Sequence, residues 1–348
     1  MKKNILIIDD SALMRRVLSD IINESSNYQV VYTATDGIAG LKILEEHNDI
    51  HVIFLDIHMP KMDGIEFLEV AKRKNINVDT FVFSSIATKD GEETMRALEL
   101  GALDFISKPT NILSNKDRFS KIVFDLLDML EVKRQSARVE TIVTKVEKKI
   151  VVKVGGKGKI VALACSTGGP KALQSVIPLL PSNLKAPVII VQHMPKGFTE
   201  SLAKRLDDIS SIRVKEAEDG EELKNGIVYI AKGGCHLLVK TINGKAYASL
   251  SEAPPVIGLR PYANYMYDSL INSDFEEIVC VVLTGMGSDG TDGIKKLNGT
   301  KNIHVIAQDA TSSVVYGMPR AIAESGLVDE VYTLLDISKA IIKKVGVI

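Results

Sequence analysis

The chain has little cysteine, no tryptophan and no long apolar run. Its three cysteines, Cys165, Cys235 and Cys280, are too few and too scattered for a disulfide framework or a zinc knuckle. No stretch approaches the roughly 20 apolar residues that a membrane-spanning helix needs. The net charge is only −1, so the overall charge does not indicate a nucleic-acid partner. These absences favour a soluble protein with reduced thiols, without membrane insertion or nucleic-acid binding.

In other respects, the amino-acid composition is that of an ordinary globular protein. Hydrophobic residues make up 45% and charged residues 25% of 348 positions, which is enough for two domains with cores. Two lysines precede an apolar run at the start of the chain, an arrangement that superficially resembles a signal peptide. The run Ile5–Ile8 is short and ends at Asp9 and Asp10, so it predicts a first β-strand instead. Without an export signal, we expect a cytoplasmic protein.

Charge is unevenly distributed along the chain. Residues 1–130 hold 15 basic and 21 acidic side chains, whereas residues 131–159 hold 9 basic and 3 acidic ones. The basic segment could be an anion-binding arm, but its glycines and its lack of aromatic residues favour a solvated linker. We therefore expect a first domain over residues 1–125, a linker over 126–158 and a second domain over 159–348.

In the first domain, five short apolar runs alternate with five amphipathic stretches. This alternation predicts a doubly wound, five-stranded parallel sheet. The predicted strands are Asn4–Ile8, Gln29–Thr33, Val52–Leu55, Thr80–Phe83 and Asp104–Ile106. The predicted helices are Ala12–Glu24, Gly37–Glu46, Gly64–Lys74, Gly91–Leu100 and Arg118–Arg134.

The second domain repeats this style and predicts an α/β fold with a mostly parallel sheet. The runs predicted as parallel strands are Ile160–Ala164, Val188–Gln192, Ile278–Leu283 and His304–Ala307. A further apolar run, Ile227–Ala231, lies in the stretch Gly220–Leu250, where turn sequences such as Asn-Gly are closely spaced. That stretch predicts antiparallel hairpins inserted into the α/β domain.

Polar side chains end four strands of the first domain. Asp9 and Asp10 follow strand one and Asp56 follows strand three, so the three carboxylates meet at one edge of the sheet. They would repel one another without a cation, and Mg²⁺ is the natural choice for oxygen ligands. Asp56 is then a nucleophile toward a phosphoryl donor, with Ser84 and Lys108 placed to bind the phosphate oxygens.

These motifs are similar to those of a response-regulator receiver domain over about residues 1–125. The motifs that carry the resemblance are Ile8–Ser11, Leu55–Pro60, Ser84-Ser85 and Lys108-Pro109. The resemblance implies that Asp56 accepts a phosphoryl group from a histidine kinase, and that Ser84 and Phe105 rearrange afterwards.

In the second domain, Ser166, His193 and Asp289 each follow a different predicted parallel strand. Taken alone, the serine could turn the chain or bind phosphate, the histidine could be structural, and the aspartate loop could bind a cation. Taken together they converge on one sheet edge, which is the logic of a serine hydrolase triad. The backbone N–H groups of Thr167 and Met286 are the expected oxyanion-hole donors.

The second domain resembles the chemotaxis protein-glutamate methylesterase (CheB) family. The segments that carry this resemblance are Cys165–Pro170, Gln192–Pro195, Leu283–Gly290 and Ser313–Pro319. The resemblance implies that Ser166 is the nucleophile, His193 the base and Asp289 the acid. It implies two substrates on chemoreceptor helices, glutamate γ-methyl esters and, for deamidation, glutamine. It also implies that the unphosphorylated receiver restrains the esterase. A serine mechanism of this kind needs no metal or organic cofactor in this half.

Three residues depart from the pattern of the family. Cys165 stands where the family often has alanine, Leu259 where a polar residue is expected, and Tyr262 where a small polar residue is expected. Cys165 could compete as a nucleophile, but its strand-end position predicts a thiol that points into the core.

We expect the protein to be a monomer.

Three other functions are weighed against this one. A DNA-binding response regulator would need a clustered basic face, which the second domain lacks. A nucleotide-dependent enzyme would use the two glycine loops as phosphate cradles, but no Walker lysine pattern is present. A non-catalytic scaffold would fail to react with a serine-directed reagent.

Overall fold

The protein is described by a computed structural model that covers residues 2–84, 88–108, 116–136 and 158–348. The chain divides into two compact units, Met1–Glu131 and Val132–Ile348. Most of the predicted linker 126–158 lies outside the described residues, as do Ser85 and Pro109 of the receiver motifs. No helix in the described part of the chain is both long and apolar enough to cross a membrane.

The first unit is a five-stranded parallel sheet in the order β2-β1-β3-β4-β5, which confirms the predicted doubly wound fold. Its strands are β1 (Lys3–Ile8), β2 (Tyr28–Ala34), β3 (Ile50–Asp56), β4 (Asp79–Ser84) and β5 (Asp104–Ser107). Its helices are α1 (Ala12–Asn23), α2 (Gly37–Glu46), α3 (Gly64–Arg73), α4 (Thr88–Leu100) and α5 (Lys116–Ser136). The prediction placed the start of α4 three residues too late and the end of α5 two residues too early.

Local chemistry explains where two of these helices begin. The Ser11 hydroxyl accepts a hydrogen bond from the N–H of Met14 at the start of α1. At the start of α3, Asp63 and Glu66 form a reciprocal capping box. Gly64 follows directly, and a Cβ there would lie 2.4 Å from the backbone oxygen of Asp56. The loop after β3 can therefore close tightly only because position 64 has no side chain.

The second unit is built on a seven-stranded, fully parallel sheet in the order β14-β13-β12-β6-β7-β9-β8, with a separate antiparallel hairpin β10-β11. Its strands are β6 (Lys159–Cys165), β7 (Val188–Gln192), β8 (Arg213–Glu216), β9 (Ile227–Ile230), β10 (His236–Ile242), β11 (Lys245–Ser251), β12 (Glu277–Val282), β13 (Asn302–Gln308) and β14 (Glu330–Tyr332). Its helices are α6 (Gly169–Val176), α7 (Phe198–Asp208), α8 (Ala263–Leu270), α9 (Thr291–Asn298), α10 (Met318–Glu324) and α11 (Ile337–Val345).

The predicted α/β fold with a hairpin insertion is confirmed, with one correction. Residues 227–230 are not part of an antiparallel hairpin, because β9 pairs in parallel with both β7 and β8. Val228, Tyr229 and Ile230 are all buried, as a strand covered on both faces requires. The preceding Gly226 adopts a φ of 72° and packs against the main chain at Ser182, so the Asn-Gly pair turns the chain into the main sheet.

Candidate phosphorylation site and active site

The carboxyl edge of the first sheet brings the three predicted acidic residues together. One ligand atom from each of Asp9, Asp10 and Asp56 can be chosen so that all three lie within 4.8 Å of one another. Asp9 and Asp56 are buried and Asp10 is exposed. The Nζ of Lys108 lies 3.0 Å from Asp9 Oδ2 and 2.6 Å from Asp56 Oδ2. This all-oxygen set at a sheet edge fits a hard cation such as Mg²⁺.

The electrostatics of this edge depend on burial and on Lys108. Burial raises the pKa of Asp56, and the neighbouring Asp9 carboxylate adds to the increase, while Lys108 opposes it. Burial alone would lower the pKa of Lys108, but the two carboxylates raise it above its usual value. Lys108 is therefore a permanent cation here, and a further positive charge would favour the ionised form of Asp56.

The two predicted switch residues lie on β4 and β5. Ser84 is buried at the end of β4, and its Oγ accepts a 2.8 Å hydrogen bond from Thr94 of α4. Phe105 is half-buried on the neighbouring strand β5. Sequence reasoning missed Thr94, because the contact joins a strand end to the middle of the next helix and leaves no local pattern.

The carboxyl edge of the second sheet brings Ser166 and His193 to adjacent positions. Cys165 at the end of β6 pairs with Gln192 at the end of β7, so the two predicted site residues follow directly on neighbouring strands. The N–H of His193 donates to the carbonyl of Cys165 at 3.1 Å. The N–H of Ser166 donates to the carbonyl of Thr284, just after β12, at 3.0 Å.

His193 and Asp289 form a close pair. His193 Nε2 lies 2.7 Å from Asp289 Oδ2, and both side chains are almost fully buried. Three backbone N–H groups also donate to the Asp289 carboxylate, from Ala263 at 2.6 Å, Asn264 at 2.9 Å and Gly290 at 2.8 Å. Two of these groups are the first N–H groups of α8, where the helix dipole favours a negative charge. The pair is thus fixed in position, and Nδ1 of the imidazole makes no hydrogen bond within the described part of the chain.

Ser166 lies half-buried at the start of the loop before α6, and that helix begins beside Pro170, as predicted. Within the described residues its Oγ makes no hydrogen bond to His193, so the structure places the two residues side by side without joining them. A Cβ on Gly285 would lie 2.8 Å from Ser166 Cβ and 2.4 Å from the sulfur of Met318. The serine therefore occupies a slot that the absence of a side chain at position 285 creates.

The two expected oxyanion donors are near this slot. Thr167 follows Ser166, and Met286 follows Gly285. The carbonyl of Gly285 accepts hydrogen bonds from the N–H groups of Gly317 and Met318. In the described part of the chain, the backbone N–H groups of Thr167 and Met286 have no hydrogen-bond partner. Both residues are half-buried.

The three departures from the family pattern have clear structural settings. Cys165 is fully buried and burial raises its pKa strongly, which confirms the prediction of a core thiol and disfavours a nucleophilic role. Leu259 is half-buried and closes a turn with Val256 through two backbone hydrogen bonds. The Tyr262 hydroxyl lies 2.9 Å from the side-chain nitrogen of Asn264, so this residue supports the start of α8.

Sequence reasoning missed the part played by α8. The side-chain oxygen of Asn264 accepts hydrogen bonds from the N–H groups of Gly290 (3.1 Å) and Gly293 (2.7 Å), which fastens the start of α8 to the start of α9. Asp289 lies between these two helix starts. A polar residue at the beginning of a helix is a usable sequence signal, but its partners more than 20 positions away are not.

Comparison with known proteins identifies both units. Residues 161–341 match the family model for the CheB methylesterase, and residues 5–117 match that for the response regulator receiver domain. The protein-glutamate methylesterase/protein-glutamine glutaminase of Bacillus subtilis (strain 168) is 42% identical over 352 residues, 97% of each chain. The protein of the same name from Geobacillus kaustophilus is 40% identical over 98% of each chain. The crystal structure of the Thermotoga maritima CheB methylesterase catalytic domain is 45% identical, with a TM-score of 0.53, covering 54% of this chain and all of that one.

A receiver domain followed by a hydrolase domain defines a response-regulator-controlled enzyme. The chain belongs to the CheB methylesterase family, over nearly its whole length. Family membership decides against the three alternatives considered from the sequence, namely a DNA-binding regulator, a nucleotide-dependent enzyme and a non-catalytic scaffold.

Proposed function

We propose that Ser166 is the nucleophile of the esterase, His193 its general base, and Asp289 the carboxylate that orients the imidazole. One observation carries this assignment: the buried 2.7 Å pair between His193 and Asp289 lies at the sheet edge where Ser166 follows β6. The unengaged N–H groups of Thr167 and Met286 support their role as oxyanion-hole donors.

The proposed substrates are glutamate γ-methyl esters on the cytoplasmic helices of chemoreceptors, and the side-chain amides of glutamine. The names of the similar proteins, protein-glutamate methylesterase/protein-glutamine glutaminase, support both reactions. The same triad can perform either reaction because both begin with attack on a carbonyl carbon and differ only in the leaving group.

In the proposed mechanism, Ser166 Oγ attacks the ester carbonyl carbon while His193 accepts the hydroxyl proton. The negative charge that develops on the carbonyl oxygen is stabilised by the N–H groups of Thr167 and Met286. His193 then gives this proton to the leaving group, which departs as methanol from an ester or as ammonia from a glutamine, and an acyl-serine remains. Water, deprotonated by His193, attacks the acyl carbon. The bond to Ser166 Oγ breaks, His193 returns the proton to that oxygen, and glutamate is released. These steps use only groups of this chain and water, and require no cofactor.

We further propose that Asp56 accepts a phosphoryl group from a chemotaxis histidine kinase. Asp9, Asp10 and Asp56 would hold Mg²⁺, which neutralises charge on the transferring group when bound. Lys108, already within hydrogen-bonding distance of Asp56, would pair with the new phosphate. Ser84 and Phe105 would then rearrange; the hydrogen bond between Ser84 and Thr94 is the contact that such a change would break.

The proposed organisation is a receiver domain over residues 1–125, a linker over 126–158 and a catalytic domain over 159–348. The matched ranges 5–117 and 161–341 support these limits. We propose a cytoplasmic monomer in which the unphosphorylated receiver restrains the esterase and phosphorylation of Asp56 releases it, as a shift between two populations.

Methanol release from methylated receptor membranes tests the two halves together. The wild type should release methanol, and a small phosphodonor with Mg²⁺ should increase the rate. Ser166→Ala should lose at least about 10³-fold in rate, because the nucleophile of the acyl-serine pathway is absent. Asp56→Ala should keep the basal rate and lose the stimulation.

The outcomes separate the two assignments. Full methanol release by Ser166→Ala would remove the nucleophile assignment and leave that of Asp56 untouched. Stimulation that survives in Asp56→Ala would remove the assignment of Asp56 and leave that of Ser166 untouched. Circular dichroism of both variants provides the control for folding.

A further inference from the structure

Gln192 is a buried amide between the serine loop and the histidine loop. It ends β7, the residue is 2% exposed, and its backbone pairs with Cys165 at the end of β6. Its side-chain Nε2 donates to the carbonyl of Ser166 at 2.9 Å and to the carbonyl of His193 at 3.1 Å. One amide group thus bridges the main chain at the proposed nucleophile and at the proposed base.

The rest of the amide is fixed just as closely. Its Oε1 accepts a 3.0 Å hydrogen bond from the Cys165 thiol. A Cβ on Gly169 would lie only 1.9 Å from the same oxygen, so the side chain fills space that the missing side chain at position 169 leaves open. Both donor hydrogens and the acceptor are engaged, so the amide has little freedom to rotate or to flip.

This bridge bears directly on the distance between the two reacting groups. The carbonyls that it joins belong to the residues whose side chains must exchange a proton, and those side chains make no hydrogen bond to each other in the described structure. The regular pairing of the two strands ends at Cys165 and Gln192, and one further backbone hydrogen bond follows it, from the N–H of His193 to the carbonyl of Cys165. The Gln192 amide adds a second link, and this link reaches the carbonyl of Ser166, which the backbone bond does not.

We infer that Gln192 is a positioning residue that holds Ser166 and His193 at reacting distance by clamping their two backbone carbonyls. The inference rests on the proposed roles of Ser166 and His193. Gln192 contacts no substrate atom in this scheme and acts only through the two loops. An error of about 1 Å in the placement of reacting groups can cost on the order of 10²-fold in rate, which sets the size of the expected effect.

The primary test is Gln192→Met in the full chain, because methionine nearly preserves the volume and removes both donor hydrogens. We expect kcat for methanol release to fall by about 10- to 100-fold with little change in KM, since substrate contacts are unaltered. The labelling rate of Ser166 by a small serine-directed phosphonate should fall in parallel. The small probe does not depend on receptor docking, so its rate reports the Ser166–His193 geometry itself.

Three further variants separate positioning from simple stability. Gln174→Met is the matched control, because Gln174 lies half-buried on α6 and its Nε2 has no partner among the described residues; it should retain the wild-type rate. Cys165→Ala removes only the thiol donor and should lose less than about threefold in kcat. Gly169→Ala leaves the amide intact but pushes it aside, and should reproduce the Gln192→Met defect.

Gln192→Glu provides a pH-dependent signature. An ionised carboxylate cannot donate to either carbonyl, whereas a protonated one can donate to one of them. The ratio of wild-type to variant kcat/KM should therefore shrink as the pH falls from about 8 to about 6, because burial raises the pKa of a carboxyl group. A purely structural role would change the unfolding free energy of the variant with pH and leave the labelling rate of the folded protein unchanged.

A normal labelling rate and a normal kcat in folded Gln192→Met would overturn the inference. A Gln174→Met defect as large as that of Gln192→Met would overturn it as well, since any buried glutamine would then matter equally. Ser166→Ala, run in parallel, must be unlabelled and inactive. If it is not, the proposed function fails on its own account, whatever the result at position 192.

Discussion

Glu277 lies at the start of β12, at the sheet edge opposite Ser166, and its carboxylate bridges two lysines. It is 2.9 Å from the Nζ of Lys159 on β6 and 2.8 Å from that of Lys344 on α11. Burial alone would raise the pKa of Glu277, but the hydrogen bonds and charges of the two lysines outweigh burial and lower it. A carboxyl group with a lowered pKa stabilises the folded state above its unfolded pKa, and this stabilisation is lost as the pH falls through the folded pKa.

Glu277→Gln should therefore destabilise the second unit by about 1 to 3 kcal/mol near pH 7, because both lysines lose a charged acceptor. The difference from the wild type should vanish well below about pH 4, where the wild-type side chain is protonated too. Urea unfolding at a series of pH values measures this. Glu276→Gln, at the exposed neighbouring position, is the control. An undiminished difference in acid would contradict the ion-pair explanation.

Gly285 shows how one missing side chain can define the active site. Its neighbours leave no room for a methyl group, because Ser166 Cβ and the Met318 sulfur would lie 2.8 and 2.4 Å from it. The flexible Met318 side chain can move away from a methyl group at position 285. The backbone nitrogen of Ser166, 3.0 Å from that methyl group, cannot move as easily, because its N–H donates to the carbonyl of Thr284. Any displacement is therefore transmitted to the proposed nucleophile.

We expect Gly285→Ala to lower kcat for ester hydrolysis by about 10²-fold, with the fold retained, since small shifts of a nucleophile are enough for such a loss. Phosphonate labelling and circular dichroism, measured together, distinguish a misplaced serine from an unfolded domain. Gly299→Ala is the matched control, because the nearest atom to a Cβ there is 3.8 Å away and the position lies at the far end of α9. A fully active Gly285→Ala would show that the slot is more adaptable than its geometry indicates.

Single elements differ in how well the sequence predicts them. Buried runs such as Ile160–Ala164 and Val188–Gln192 predict central strands correctly, because a strand covered on both faces needs an unbroken apolar sequence. The edge strands β8 and β14 were missed. Arg213–Glu216 has a single apolar residue, Val214, among three charged ones, and Glu330–Tyr332 has three residues that are only half-buried. Such segments become strands because a neighbouring strand offers hydrogen bonds, which no local pattern records.

In the candidate site, too, the sequence predicts residues that carry a local signal and does not predict contacts between distant positions. Ser166, His193 and Asp289 could be predicted because each residue type follows its own strand, and parallel strands end at a common edge. The support around them could not. Asp289 is held by N–H groups of α8, and Gln192 joins two loops through its side chain. These contacts connect distant positions, and a buried amide has the same appearance in a sequence whether it bridges two loops or fills a core.

At the scale of the whole molecule, the chain joins a phosphorylation domain to an esterase domain. Among the described residues, the acidic cluster Asp9, Asp10 and Asp56 lies in the first unit, and the His193–Asp289 pair lies in the second. The Thermotoga structure, which is that of a catalytic domain, covers 54% of this chain. Coupling between two such sites is measured as a free energy that links their equilibria.

If the unphosphorylated receiver restrains the esterase, residues 150–348 alone should hydrolyse receptor methyl esters faster than the unphosphorylated full chain. A coupling of about 1 to 3 kcal/mol corresponds to about a 5- to 150-fold difference in rate. The fragment should not respond to a phosphodonor, whereas the full chain should approach the rate of the fragment when phosphorylated. Asp56→Ala in the full chain, treated with the same phosphodonor, is the control and should stay at the restrained rate. Equal rates for the fragment and the unphosphorylated full chain would eliminate inhibition, and would make phosphorylation an activation that needs the receiver to be present.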